Sequence, residues 1–250
     1  MTLEDIFDLS SDVTLVRFKK IKERVDKEYP DEDVLRLELI FSGAICVINK
    51  KVPAEDQERW GLAKDNLELL KVKESPEVDK ILANMEKNKK LMPVYLAQLL
   101  LNHKEFPFRE FETIQEKLPV IEEEELRKTL IFAGALQFTS SDGKEIWGLA
   151  SHLLNELGFT SAKLPEKILQ KMNSQPSEMP YHLAELLLEN PLFYRRTFFA
   201  IKKKFGGFSD DEVRSILVKI DAIRFEDKNG KEYWGMEYRN KELINRLKVK

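Results

Sequence analysis

Apolar residues recur along this chain at i, i+3, i+4 and i+7, the spacing of helices that bury one face. Toward the C-terminal end, Leu183, Leu186 and Leu187 mark one helix, Phe198, Ile201 and Phe205 a second, and Val213, Ile216, Leu217 and Ile220 a third. The period then shortens to two. AIRFED and EYWGM alternate on either side of Lys228-Asn229-Gly230-Lys231, and the Asn-Gly pair predicts a two-residue hairpin turn. Gly206-Gly207 predicts the turn before the third helix, and Ser209 with Glu212 predicts a capping box at its start. Trp234 falls on the returning strand and is expected to pack back onto the helices.

The same pattern is written more than once. Aligned without a gap, residues 92–148 and 179–235 share 22 of 57 positions. These include Trp147 and Trp234, each followed by Gly and preceded by a Gly-Lys-Glu turn. The intervals repeat as well: WGLA at 60–63 returns at 147–150, and Lys80-Ile81-Leu82 with Met85 returns as Lys167-Ile168-Leu169 with Met172. Residues 1–63 read as a more diverged copy, in which FSGAI at 41–45 answers FAGAL at 132–136. Repetition at a fixed interval is the signature of a modular array. Ser75-Pro76 and Leu164-Pro165 open helices in the intervals. Val78, Ile81, Leu82 and Met85 in one, and Ile168, Leu169 and Met172 in the other, are expected to pack module against module.

Three helices followed by a hairpin, with a short turn before the third helix, resemble the winged helix-turn-helix family across all three copies. The aromatic-Gly ending of the hairpin is similar to that of its HARE-HTH branch. The resemblance implies a mainly α fold with small β-hairpin wings (α+β), in three tandem winged-helix modules at 1–71, 92–150 and 179–250, with helical connectors at 72–91 and 151–178. It also implies nucleic-acid binding, with the third helix in the major groove and the wing on the backbone. Many winged helices serve instead as protein-binding modules.

Charge distinguishes the copies. The formal net charge of −3 for the whole chain conceals −4 over residues 1–71, −3 over 72–178 and +4 over 179–250. The basic residues of the last segment, Arg195, Arg196, Lys202, Lys203, Lys204, Arg214, Lys219, Lys228 and Lys231, are the candidates for phosphate contact with double-stranded DNA or structured RNA. Lys residues closing a helix also complement its dipole, and Asp210, Asp211, Glu226 and Asp227 dilute the patch. In the first two copies the third helix begins with acids and carries Ile40 and Phe41, or Ile131 and Phe132, beside its core-facing leucines. Apolar groups on more than one face predict contact with protein, through a partner or self-association.

Composition narrows the remaining classes. With 42% hydrophobic and 34% charged residues, the chain reads as an ordinary helix-rich globular protein. Its apolar runs fall well short of the roughly 18 residues of a membrane span, and its first residues lack a basic leader segment, so a cytoplasmic location is expected, or a nuclear one in a eukaryote. The single Cys46 sits in an apolar run and reads as a small core residue. His103, His152 and His182 have no metal-ligand spacing, and no phosphate-loop, dinucleotide or hydrolase motif occurs. The expectation is a protein that is not an enzyme and takes no metal or cofactor: a DNA-binding regulatory or accessory protein, or alternatively a winged-helix adaptor in a larger complex.

Overall fold

The computed structural model describes residues 3–8, 14–103, 105–159 and 164–241. In chain order it forms α1 (Leu3–Asp8), β1 (Val16–Arg17), α2 (Phe18–Val25), α3 (Glu32–Phe41), β2 (Ala44–Ile48), β3 (Glu58–Leu62), α4 (Pro76–Lys87), α5 (Met92–Leu101), β4 (Arg109–Glu110) and α6 (Phe111–Gln115). It continues with α7 (Glu123–Phe132), β5 (Ala135–Thr139), β6 (Glu145–Leu149), α8 (Leu164–Ser174), α9 (Met179–Leu188), β7 (Arg196–Thr197), α10 (Phe198–Lys202), α11 (Asp210–Lys219), β8 (Ala222–Glu226) and β9 (Glu232–Met236). The fold is α+β, with three small antiparallel sheets in the orders β1-β3-β2, β4-β6-β5 and β7-β9-β8.

Helices α3, α4 and α11 start where their capping residues stand. Asp31 accepts from the amides of Asp33 and Val34 ahead of α3, Ser75 accepts from Val78 with Pro76 in the first turn of α4, and Ser209 and Glu212 form a reciprocal capping box on α11. The hairpin over residues 227–231 differs from the expected two-residue turn. Asp227 Oδ1 accepts from the amides of both Asn229, at 2.8 Å, and Lys231, at 3.0 Å, which holds a wider loop with Gly230 at φ 75°. An acceptor side chain at the loop entrance thus overrides the Asn-Gly preference.

Two residues pair where no strand was expected. Val16 lies opposite Trp60, and Arg196 opposite Trp234, so the segment before α2 or α10 adds a third strand to its hairpin. In the first and last sheets such a strand leaves no space beyond the Gly that follows Trp60 or Trp234. A Cβ on Gly61 would lie 2.2 Å from the carbonyl of Thr14, and one on Gly235 would lie 2.6 Å from that of Tyr194. Asn66 and Asn240 then tie each crossing down by donating to those same two carbonyls.

The chain divides into two compact units, Met1–Thr129 and Leu130–Lys250. Their boundary falls inside α7. Each unit holds a main-chain tie. In the first, the amide of Cys46 on β2 donates to the carbonyl of Lys117 after α6, at 3.0 Å. In the second, the amide of Gln137 on β5 donates to the carbonyl of Lys204 after α10, at 3.2 Å. Met85 and Met92 close over Gly43, and Met172 and Met179 over Gly134, both glycines lying at φ 88° in the left-handed conformation that ends a helix.

Candidate nucleic-acid and protein interface

In the first and last sheets a Glu of the returning strand links the hairpin to an arginine of the third helix. Trp60 Nε1 donates to Glu58 at 2.8 Å, and Glu58 receives the Nε and Nη2 of Arg36 at 2.8 and 2.9 Å. Trp234 Nε1 likewise donates to Glu232 at 2.7 Å, and Glu232 receives Arg214 at 3.1 and 3.0 Å. The guanidinium also covers a ring at the start of the second helix: Arg36 over Phe18, Arg127 over Phe111 and Arg214 over Phe198. Trp147 Nε1 donates to Glu145 in the same way. The hydrogen bonds of Arg214 hold Glu232 below its ordinary carboxylate range and raise Arg214 in turn.

Arg214 is thus engaged within the chain, by Asp211 as well as Glu232. Two more candidates turn inward. Arg196 donates to the carbonyl of Leu187 at 2.8 Å and lies over Phe193, and burial lowers its pKa. Lys204 sets its Nζ 3.1 Å from the centre of the Phe138 ring. There burial, reinforced by the charges of Arg196 and Lys203, brings it down to about 8. Lys202 is half-buried. Arg195, Lys203, Lys219, Lys228 and Lys231 are exposed. Arg195 lies over Phe225, and Lys219 reaches Tyr181 Oη at 3.1 Å.

Ile40 and Ile131 are fully buried, while Phe41 and Phe132 are half-buried. Phe132 meets Phe208, with ring centroids 6.4 Å apart. The two isoleucines themselves have no exposed surface, because the chain supplies their cover. The ties from Cys46 and Gln137 were not legible in the sequence, since a main-chain bond at a strand edge imposes no residue type.

Sequence reasoning also missed an exposed aromatic groove of about 440 Å³ beside β7 and the last hairpin. Leu192, Phe193, Tyr194, Phe225 and Tyr233 line it with Arg195, Glu226 and Asp227. Leu192 is 68% and Tyr194 66% exposed. The signal was present in PLFYRR, a run of large apolar residues outside any periodic segment. Phe199 on α10 is 76% exposed and Val218 on α11 62%.

Cys46 is buried, and the desolvation of its thiolate pushes it up to about 12. His103 Nδ1 accepts from the amides of Glu105 and Phe106, and His182 is buried with a lowered pKa. Among the described residues no group of three or more His, Cys, Asp or Glu could hold a metal ion, and no helix is long and apolar enough to cross a membrane. No family model, curated protein or solved structure matches the chain.

Proposed function

We propose that the chain is a non-enzymatic array of three winged-helix modules that acts as a protein-protein adaptor, the alternative of the two functions its sequence suggests. The modular reading is supported by the recurrence of the same ladder. Cys46 faces Trp60, Gln137 faces Trp147 and Arg224 faces Trp234, each on a five-residue hairpin strand following a ten-residue helix.

The observation that carries the adaptor reading is the outer face of α11. Opposite its buried Val213, Ile216 and Leu217 it exposes Asp211, Ser215, Val218 and Lys219, while Arg214 is engaged by Glu232. A helix that reads a major groove needs several free donors and no carboxylate facing phosphate. An exposed valine and the aromatic groove suit a protein surface better.

A second reading keeps a specific support: Lys228 and Lys231 stand exposed on the wing, with Arg224 on its strand. Three such cations could neutralise backbone phosphates without reading bases. Fluorescence anisotropy of labelled random duplex DNA separates the two. The adaptor reading expects at most weak binding that vanishes at moderate salt. Saturable binding at moderate salt, lost in K228E/K231E, would replace it with duplex binding through the wing.

A further inference from the structure

We infer that the aromatic groove beside β7 and the last hairpin holds a short acidic peptide of a partner protein, one that mixes carboxylates with large apolar side chains. The inference rests on the adaptor reading above and gives the chemistry of a partner for that surface.

The groove is built on a stretch of chain whose backbone is bonded down while its side chains stand out. Leu192, Phe193 and Tyr194 are consecutive, and all three are exposed. Single apolar residues on a surface are ordinary, whereas a contiguous run marks an interaction site. Beneath them, the buried Asn190 accepts from the amide of Leu192 at 2.8 Å through its side chain and from that of Phe193 at 3.3 Å through its carbonyl. Arg239 donates to the carbonyls of Leu188 and Asn190 at 2.7 and 3.1 Å, and Asn240 donates to that of Tyr194 at 3.2 Å. The Arg239 guanidinium also lies over the Tyr194 ring, 5.3 Å from its centre. A surface already held in shape has less conformational freedom to lose when a partner arrives, which favours binding.

Charge selects the occupant. Both carboxylates of the groove are engaged within the chain. Asp227 Oδ1 accepts from the amides of Asn229 and Lys231, its Oδ2 accepts from the Tyr233 hydroxyl at 3.5 Å, and Glu226 pairs with Arg224 at 3.4 Å. The exposed cations lie on rings or on the hairpin loop instead. Arg195 covers Phe225 at 5.3 Å, Lys231 covers Tyr233 at 5.8 Å, and Lys228 follows Asp227 in the loop. The segment that contains them carries +4. Carboxylates of a partner are attracted to these three cations while its apolar side chains cover Leu192, Phe193 and Tyr194, and a basic segment is repelled. A nucleic-acid strand fits less well. It presents a phosphate at every nucleotide, so that some fall against Glu226 and Asp227, and Leu192 offers no ring on which a base can stack. A peptide carries its acids only where cations stand.

The test is fluorescence anisotropy of the full chain at moderate salt with a labelled short peptide of Asp, Glu, Leu and Phe. The comparison probes are the same peptide with Ser for its apolar residues, the same peptide with Lys for its acids, and oligothymidine. Saturable binding of the first probe is expected, about tenfold or more tighter than that of any other. L192S/Y194S and R195E are each expected to weaken it about tenfold or more, and R195K to retain it. Circular dichroism and thermal melting establish that the variants are folded. Absence of binding by the acidic apolar peptide, or variants that bind it as the parent does, would overturn the proposal. Tighter binding of the Lys peptide would overturn it by reversing the charge of the occupant, and tighter binding of oligothymidine by reassigning the groove to single-stranded nucleic acid. Failure of the peptide leaves the adaptor reading standing, since that reading is carried by the outer face of α11 and is tested by duplex DNA through K228E/K231E.

Discussion

At the residue scale, the glycine after Trp60 and after Trp234 has a steric cause. Its missing Cβ is the space through which the short third strand passes, and in the last sheet Tyr194 O and Asn240 Nδ2 stand 2.6 and 2.7 Å from where that carbon would be. G235A is expected to destabilise the protein by about 2 kcal/mol, the range of an overpacked core position, in urea denaturation. Gly143 provides the control. It lies at φ 85° with nothing within 4 Å of a Cβ, so G143A is expected to cost only the backbone strain, about 1 kcal/mol. Equal losses in the two variants would show that crowding by Tyr194 is not what fixes Gly235.

At the scale of elements, the linked Trp234, Glu232, Arg214 and Phe198 fasten hairpin to helix. E232Q keeps the shape but loses the charge that Arg214 and Trp234 share, and about 2 kcal/mol of stability is expected to go with it. The pH dependence has a definite sign. Glu232 is held below its ordinary value, so its contribution is complete above the ordinary carboxylate range and is lost as pH falls through the lower folded value. Urea titrations at neutral and acid pH are expected to show a smaller loss on acidification in E232Q than in the parent. These elements show what a sequence can and cannot convey. The helices and hairpins were legible because burial repeats every 3.6 or two residues, and the capping box on α11 because Ser209 and Glu212 must be those residue types. The two-residue strands were not, being shorter than any period. The inward turn of Arg214 was hidden for a different reason: an arginine on a helix has the same spelling whether its partner is a phosphate or Glu232, and only the fold brings that glutamate within 3.1 Å.

At the scale of the molecule, packing within the second unit rests partly on a lysine in an unfavourable place. Lys204 is drawn down to about 8 by burial against Phe138. Between about pH 8 and its ordinary value of 10.5, the unfolded chain holds a proton that the folded chain has released, so stability is expected to rise with pH across that window. K204M is expected to abolish the rise in thermal melts and to add about 1 kcal/mol at neutral pH, a figure discounted for the half-exposed position. An unchanged pH profile would mean that the ammonium escapes to solvent. The bond beside that lysine has a longer reach. Because each tie joins a main-chain amide to a main-chain carbonyl, no substitution short of proline at position 46 or 137 deletes it, and Cys46 and Gln137 perform one task with unlike side chains. Internal duplication of the stretch would lengthen such a chain with its new seam already closed, before any pair of side chains had coevolved to hold it.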